Sequence, residues 1–326
     1  MIRFAIALTL FAQSAAALCS GDSFMDRLTD AERAQIAQAV SETPFPRGLI
    51  WTATKGRDTL TIVGTMHIYD KRLDEVHAAI GNATRDADVL LVEATAAEEA
   101  AMQAAFAADP EMLFVTDGPT LPERVDEATW DAISTALRAR SVPPFLAAKM
   151  KPWYVTLTLA IPPCAMPDMI AGRRGLDHMI MADAAAAGVP MMALEPWSTL
   201  IDVMRLGSED EQLEMLKLAT LSPQIQSEMF VAMLDSYFAG DVAEVWEASR
   251  LSGNYIPGLD PARGAALFDI TEAILLTDRN RRWIPVITDA AAQYDDIVVA
   301  VGAAHLPGDA GVLQLLVDDG WQVSPR

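Results

Sequence analysis

The sequence predicts one α/β domain, over residues 19–326, whose sheet is formed by both ends of the chain and which contains a helical insertion over about 119–280. Strand and helix patterns alternate before the insertion and after it, whereas the insertion is patterned almost entirely as helices separated by Pro and Gly. Two strand patterns near the start of the chain also recur later in it. The 326 residues suffice for a large domain with a substantial core.

The chain before the insertion is patterned as helix, strand, turn, strand, helix and strand. An Ala-rich amphipathic stretch with acidic residues at its start predicts helices, and apolar alternation predicts strands. Lys55-Gly-Arg-Asp58 lies between two strand patterns and predicts a hairpin turn. The predicted elements are helices within 22–42, strands over 48–54 and 60–63, a helix over 71–85 and a strand over 88–93.

Helices dominate the middle of the chain, and the sheet resumes after it. The predicted middle helices span 95–108, 123–140, 145–160, 175–187, 208–219, 222–239, 241–251 and 261–280. A short strand is predicted over 189–195, and the chain ends with a strand over 296–302, a helix over 308–319 and a strand over 321–323. No short-period repeat is present, which excludes a solenoid.

Composition narrows the possible partners. About half of the residues are apolar, with ordinary Gly and Pro usage, which is typical of a globular protein. The formal net charge is −21, and so acidic a surface repels phosphate backbones and anionic lipid headgroups. We therefore expect neither nucleic acid nor a membrane surface as a partner.

The N-terminus has the three parts of a secretory signal peptide. Met1-Ile-Arg3 is positively charged, Phe4–Ala12 is apolar, and the stretch closes on small residues, with cleavage expected after one of the alanines at 15–17. We therefore assign residues 1–18 to a signal peptide and expect a periplasmic or secreted protein. The apolar stretch is too short to span a bilayer. Lipidation at Cys19 is the alternative, which the leucine directly before it disfavours.

Cys19 and Cys164 are the two cysteines of the chain. In an oxidising compartment they predict a disulfide that joins the mature N-terminus to the Pro162-Pro163-Cys164 turn. The alternative is two buried free thiols.

Four titratable side chains stand at the ends of predicted buried strands. Leu60–His67 resembles Ile297–His305, since each is an apolar run followed by Gly-x-x-His, and Val89–Glu93 resembles Met191–Glu195, since each ends on Glu. Ligands of open α/β sheets bind outside the carboxyl ends of the strands. If these strands are parallel neighbours, the four side chains converge, and each glycine would let the chain leave its strand sharply. The converging side chains are His67, Glu93, Glu195 and His305.

Imidazole and carboxylate groups can ligate a divalent metal or perform acid–base catalysis. Taken singly, each pattern has a simpler explanation, because Gly-x-x-His is common in loops and a strand-end Glu often caps a helix. The pairing of both patterns favours a site. The sequence contains no H-E-x-x-H, no G-x-S-x-G and no P-loop, so a serine hydrolase or a nucleotide enzyme is unsupported.

The remaining candidates each have a structural interpretation. His77 lies in a helix pattern among charged or small residues and is expected to face solvent. Asp177 suits the dipole at the start of a helix, and His178 belongs either to that helix or to the site. The cluster Asp278–Arg282 is either a helix C-terminus that meets its dipole or the source of an arginine for a substrate carboxylate or an oxyanion.

Together these residues resemble the TraB/GumN family, to which the Tiki proteins are related. The resemblance extends over about residues 45–323 and rests on the order and separation of its elements, with Trp153 and Leu306-Pro-Gly308 similar to the exported bacterial branch. The elements are Gly48-Leu-Ile-Trp, Val63-Gly-Thr-Met-His67, Leu91-Val-Glu93, Gly175-Leu-Asp177, Ala193-Leu-Glu195, Arg279-Asn280 and Val301-Gly-Ala-Ala-His305.

The resemblance implies a fold similar to the erythromycin-esterase/ChaN-like group, in which a mostly parallel or mixed sheet is built from a duplicated strand–strand–helix unit. It also implies an active site formed by the four strand-end residues, with Arg279 and Asn280 close to it. Tiki members are described as metal-dependent proteases that favour manganese or cobalt. Carried over to this chain, His67, Glu93, Glu195 and His305 become the candidate ligands of a divalent manganese, cobalt or zinc ion.

Three functional hypotheses follow. In the first, an exported metal-dependent hydrolase cleaves a peptide or amide bond: His67, His305 and one glutamate hold the ion, the other glutamate takes a proton from its water, and Arg279 stabilises the oxyanion. In the second, histidine and glutamate hydrolyse an ester or amide without a metal. In the third, the chain is a periplasmic binding protein for a peptide, haem or a metal. The expected partner is a peptide or a small-molecule substrate.

Overall fold

A six-stranded sheet forms the centre of the fold. The structure is a computed structural model that describes residues 19–205, 208–256 and 258–326; the predicted signal peptide, residues 1–18, lies outside the described residues. The strands are β1 Ile50–Lys55, β2 Asp58–Thr65, β3 Val89–Val92, β4 Met191–Ala193, β5 Asp296–Gly302 and β6 Gln322–Pro325.

The strands are ordered β4-β3-β5-β2-β1-β6 across the sheet. The neighbours β4, β3, β5 and β2 run parallel, whereas β1 is antiparallel to both β2 and β6. The mostly parallel or mixed sheet expected from the sequence is thereby confirmed. The strand from the middle of the chain, β4, pairs with β3 at one side of the parallel block.

Helices cover both faces of this sheet. The described α-helices are α1 Phe24–Arg27, α2 Asp30–Glu42, α3 Leu73–Ile80, α4 Ala83–Asp86, α5 Ala96–Ala108, α6 Leu121–Arg124, α7 Glu127–Arg138, α8 Pro144–Ala147, α9 Pro152–Leu159, α10 Met166–Ile170, α11 Leu176–Ala187, α12 Ser198–Met204, α13 Glu209–Leu218, α14 Pro223–Ala239, α15 Val242–Arg250, α16 Pro261–Glu272, α17 Asp278–Ala291 and α18 Val312–Asp318.

The side chains of the parallel strands alternate between two cores, as the pleat of a strand requires. Ile62 and Val299 point to one face, which α17 and α18 cover with Trp283 and Leu313 among others. The neighbouring Val298 points to the other face, where α3, α11 and α14 pack. Both faces of the parallel block are therefore buried, which explains why β3 and β5 are continuous apolar runs.

Several helices depart from the prediction: the helices expected over 71–85, 123–140 and 145–160 are each divided into two, and α12 was not expected. The departure that bears on the site is at the end of the insertion. The stretch expected to end at residue 280 continues from α16 through a π-helical turn at Ala273–Thr277 into α17 and ends only at Ala291. Asp278–Arg282 is therefore not a helix C-terminus, and that interpretation of the basic cluster is wrong. Arg281 and Arg282 are exposed, whereas Arg279 and Asn280 are buried.

A disulfide joins Cys19 to Cys164, which confirms the predicted pair. It closes a loop with a sequence separation of 145 residues and ties the first described residue to the segment before α10. No helix within 19–205, 208–256 or 258–326 has both the length and the apolar character needed to span a membrane.

Candidate functional site

The carboxyl ends of four adjacent parallel strands bring the four predicted side chains to one edge of the sheet. Glu93 directly follows β3, and Glu195 follows β4 by two residues. The Gly-x-x-His histidines follow β2 and β5, His67 in a loop and His305 in a short 3₁₀ turn. The spatial order β4-β3-β5-β2 therefore places Glu195, Glu93, His305 and His67 side by side.

Arg279 links three of these four side chains. Its Nη2 lies 2.6 Å from Oε2 of Glu93 and 2.5 Å from Oε1 of Glu195, and its Nε lies 2.9 Å from the same Glu195 oxygen. Its Nη1 lies 3.3 Å from Nε2 of His305 and donates to the carbonyl of Leu275 at 3.1 Å. A guanidinium has five N–H groups, and these five contacts engage all of them.

In this arrangement Arg279 has no free N–H group that could donate to an oxyanion, so the contacts differ from the oxyanion-stabilising role expected for it from the sequence. The buried Arg279 instead holds the two glutamates in place and compensates their charge. The second oxygen of Glu195 accepts from the indole N–H of Trp283 at 3.1 Å, and Trp283 was not expected at the site.

Asn280 fixes the proton position on His305. The Nδ2 group of Asn280 donates to the carbonyl of Ala310 at 2.8 Å and to that of His305 at 3.3 Å, so its Oδ1 is the atom that faces Nδ1 of His305, at 2.6 Å. We infer that Nδ1 of His305 carries the hydrogen and that Nε2 presents a lone pair to the site.

The two histidines have opposite preferences for a proton. Burial, together with the nearby charges of Arg279 and His67, outweighs the carboxylate of Glu93 and lowers the pKa of His305 to about 3. Partial desolvation by the cavity walls and the charge of Arg279 act to lower the pKa of His67, but the contact with Asp177 and the charges of Glu93 and Asp177 outweigh them and raise that pKa to about 9. At neutral pH, His305 is neutral and His67 is charged.

Glu93 lies between these histidines. Its Oε1 is 3.8 Å from Nε2 of His67 and 3.9 Å from Nε2 of His305, and it accepts from the backbone N–H of Gly302 at 2.7 Å. Burial would raise the pKa of Glu93, but the interactions with His305, His67 and Arg279 and this backbone hydrogen bond lower it to about 2. Glu93 is therefore a carboxylate over the whole range in which proteins function.

Space, rather than backbone freedom, explains the glycine before each histidine. Neither Gly64 nor Gly302 has a positive φ, so the expected sharp exit from the strand is not the reason for glycine. A Cβ on Gly64 would lie 2.8 Å from the side chain of Leu306 and 3.1 Å from Cα of Ala303. A Cβ on Gly302 would enter the site itself, 3.3 Å from Oε1 of Glu93.

A second row of side chains supports His67, and sequence reasoning missed most of it. Nδ1 of His67 lies 3.3 Å from Oδ2 of Asp177, which is also 2.8 Å from Nδ1 of His178. Nε2 of His178 lies 3.0 Å from Oε1 of Glu99 in α5. Asp177 was interpreted as a partner of the helix dipole, His178 was left open, and Glu99 was not singled out.

Gly175 explains how Asp177 reaches His67. A Cβ at this position would lie 2.1 Å from the carbonyl oxygen of Met66, so no other residue fits there without a shift. The N–H of the next residue, Leu176, donates to the same carbonyl at 2.8 Å. The start of α11 thus lies directly against the loop that contains His67. The Gly175-Leu-Asp177 element of the resemblance is the signal that could have identified this contact.

Two cavities meet at His67. One, of about 570 Å³, is lined by apolar and polar side chains together, and the polar ones include Glu93, Glu99, Arg174 and His178. The other, of about 600 Å³, is lined mainly by apolar side chains and extends from His305 and Gly302 between α9, α14 and α15. The side chain of His67 is 60% exposed, and it lines both cavities.

Two other residues lie elsewhere. His77 is half-buried in α3, with Nε2 3.0 Å from Oδ2 of Asp183, and lines neither cavity. Trp153 is buried beside Leu113 and Ile201, in a separate apolar cluster.

The four predicted metal ligands do not fit a common ion in this arrangement. Both oxygens of Glu195 and one oxygen of Glu93 are bonded to Arg279 or Trp283. The remaining lone pair of His305 faces the guanidinium at 3.3 Å, which would repel a cation bound there. Within the described part of the chain, no group of three or more His, Cys, Asp or Glu side chains has an arrangement that could hold a metal ion.

Comparison with known proteins confirms the resemblance to the TraB/GumN family. The model of the TraB/PrgY/gumN family matches residues 49–325, a range that includes Glu93, Arg279 and both site histidines. No curated protein and no solved structure matches the chain at a significant level. Since the family match covers far more than half of the sequence, the chain belongs to the TraB/PrgY/gumN family.

Proposed function

We propose that the chain is an exported hydrolase that cleaves an ester or amide bond, with His67 and His305 as an acid–base pair. One observation supports this proposal above the others. The Nε2 atoms of the two histidines lie 3.8 Å and 3.9 Å from the same oxygen of Glu93, while their surroundings move their pKa values in opposite directions. Titratable pairs whose environments separate their pKa values are typical of acid–base catalysis.

The neutral histidine acts as the base. Nε2 of His305 exchanges its 3.3 Å contact with Nη1 of Arg279 for a water molecule and takes a proton from it, and Oε1 of Glu93 accepts the second hydrogen of this water and so orients it. The water oxygen forms a bond to the carbonyl carbon of the substrate. The lone pair on Nε2 is available to this water because Oδ1 of Asn280 accepts a hydrogen bond from Nδ1–H and so holds the hydrogen on Nδ1.

The charged histidine acts as the acid. His67 donates its Nε2 proton to the leaving alcohol or amine as the bond between that group and the carbonyl carbon breaks. Asp177 maintains the charge of His67 before this step, and His178 and Glu99 hold Asp177 in place. The proton gained by His305 returns to His67 through solvent, which restores the starting state.

Arg279 is a positioning residue in this scheme. It fixes Glu93 through a bond of 2.6 Å, and its charge beside His305 keeps that imidazole neutral. The scheme corresponds to the metal-independent hypothesis, which the donor arrangement favours because the positive charge among the glutamates belongs to an arginine.

Export of the protein to the periplasm is part of the proposal. The signal-peptide pattern of residues 1–18 and the Cys19–Cys164 disulfide both support it, because disulfides persist in oxidising compartments. A binding protein without turnover is the second candidate, and the apolar cavity of about 600 Å³ favours it, since its size suits the capture of a small ligand.

The test is hydrolysis of chromogenic acyl esters and acyl anilides by the purified mature protein. We expect product from the wild type and a loss of about a hundredfold or more in kcat/KM for His305→Gln. His77→Gln is the matched control, because His77 is also paired with an aspartate but lines neither cavity. Tight binding without product in the wild type, or equal activity of the His305→Gln variant, would contradict the proposal.

A further inference from the structure

Arg140 is a buried cation without a carboxylate partner among the described residues. It is 1% exposed and follows α7 by two residues. Its guanidinium donates to the carbonyls of Ala136 at 2.8 Å, Leu159 at 2.6 Å and Ile161 at 2.6 Å, and to Oε1 of Gln226. Burial lowers the pKa of Arg140 to about 10, so the side chain is charged at neutral pH.

This cation lines the apolar cavity that begins at the candidate site. The same cavity of about 600 Å³ is lined by His67 and His305 and by Arg140 and Gln226. The carbonyl and amide oxygens occupy four of the five N–H groups, which leaves one N–H of Nη1 without a partner in the described residues. A buried charge in apolar surroundings is stabilised by an opposite charge, and a bound anion would supply it.

Helix α14 sets the distance between the two polar ends of the cavity. Its Met229, Phe230 and Met233 line the cavity between Gln226, which contacts Arg140, and Tyr237. Tyr237 donates to the carbonyl of Gly64, in the strand that leads to His67, at 2.9 Å. Since these two ends of the wall are eleven residues apart in one helix, they are separated by about 16 Å.

We propose that this cavity binds an apolar chain that ends in a carboxylate, with the carboxylate at Arg140 and the chain extending toward His67 and His305. That the bond to be cleaved lies at the two histidines rests on the proposed hydrolase function; the carboxylate subsite itself does not. An extended peptide that spans about 16 Å has roughly five residues. A peptide with apolar C-terminal residues and a fatty acid share this chemistry.

The simpler alternative is that Arg140 has a purely structural role and only donates hydrogen bonds to carbonyls at helix ends. Two of its carbonyl partners lie in the last turns of α7 and α9, where a cation is favourable without any ligand. The two alternatives differ in one respect. A purely structural Arg140 makes no distinction between a ligand with a carboxylate and its neutral counterpart.

The experiment is isothermal titration calorimetry of the mature wild-type protein with two matched ligand pairs. One pair is a pentapeptide of leucine and valine with a free carboxyl terminus and its carboxamide; the other is dodecanoate and dodecanol. We expect the acid of at least one pair to bind about tenfold more tightly than its neutral partner, because a hydrogen bond to a charged group adds this much. The pair that shows the preference identifies the source of the carboxylate.

Gln226→Glu tests the position of the subsite. This variant places a carboxylate beside Arg140, so the preference for the acid should disappear while Arg140 is retained. Gln103→Glu, on the exposed face of α5, adds the same charge elsewhere and should keep the preference.

Three outcomes would overturn the carboxylate subsite: equal binding of acid and neutral ligand in both pairs, no binding of either acid, or an undiminished preference in a folded Gln226→Glu variant. If that variant does not fold, the wild-type comparison decides alone. A preference for the acid without hydrolysis of any chromogenic substrate would instead contradict the hydrolase proposal and leave the subsite in place.

Discussion

Oδ1 of Asn280 lies 2.6 Å from Nδ1 of His305, and the two remaining hydrogen bonds of this amide prevent it from turning over. Because the amide is uncharged, it does not oppose the burial that lowers the pKa of His305 to about 3. An amide at this position therefore keeps the imidazole uncharged, whereas a carboxylate would favour the imidazolium.

Asn280→Asp should shift the acid limb of the pH–rate profile upward. A carboxylate next to Nδ1 raises the pKa of His305 by roughly one to three units, so the base is lost to protonation at a higher pH. The measurement is kcat/KM against pH for a chromogenic ester. Asn82→Asp, at an exposed helix start, is the charge-matched control, and an acid limb that stays in place would argue against His305 as the base.

Asp177→Asn should shift the alkaline limb downward. The pKa of His67 is raised to about 9 largely by Asp177 and Glu93, so in the wild type the acid is protonated below about pH 9 and activity falls above it. Without the carboxylate of Asp177 the pKa returns toward 6.5, and the fall begins roughly one to three units lower.

Asp183→Asn provides the comparison for this shift, because Asp183 is paired with His77 as Asp177 is with His67, but away from both cavities. Its profile should match that of the wild type. If the alkaline limb moves equally in both variants, the shift comes from the loss of any negative charge and does not show the deprotonation of His67.

The strand-end residues could be predicted from the sequence because each follows a local pattern. The apolar runs before His67, Glu93 and His305 identify buried strands, and the ends of parallel strands meet at one edge. The sheet class follows from the same alternation of strands and helices. These patterns do not give the order of the strands in the sheet. That order depends on pairing between segments that are far apart in the sequence.

The supporting residues could not be predicted in the same way. Asp177 and Glu99 reach the site through the packing of α11 and α5, and nothing in their own neighbourhood distinguishes them from ordinary acidic residues in a first helical turn. The sequence pattern indicated only the cluster Asp278–Arg282, and the resemblance identified Arg279 within it. Its helix was expected to end nearby, whereas the structure continues it past Pro285 because Trp283 and Ile287 pack against the sheet.

Removal of metal ions should leave activity unchanged. Arg279 supplies the positive charge among Glu93, Glu195 and His305, so dialysis against a chelator should not lower kcat/KM for the ester substrate. Activity and residual metal content are measured on the same sample. Loss of activity on chelation with recovery on addition of manganese, cobalt or zinc would restore the metal-dependent hypothesis and contradict the scheme given above.

Gly302→Ala should reduce activity while the fold is retained. The backbone of Gly302 has φ −51° and ψ 135°, which alanine adopts without strain. The new methyl group would lie 3.3 Å from Oε1 of Glu93, 3.5 Å from Cδ2 of His305 and 3.7 Å from Nε2 of His67, in the space that the attacking water requires. We expect kcat/KM to fall about a hundredfold, as for a misplacement of about 1 Å, with little change in the melting temperature.

Gly64→Ala is the counterpart at the other Gly-x-x-His. Its Cβ would meet Leu306 and the backbone of Ala303 in the core, at 2.8 Å and 3.1 Å, and would enter no space between the reacting groups. The expected cost is about 1–3 kcal/mol in the free energy of unfolding, since overpacking displaces neighbours that cannot move freely. Denaturant unfolding and kcat/KM together separate the two glycines. If Gly302→Ala keeps full activity, the space beside Glu93 is not where the reaction takes place.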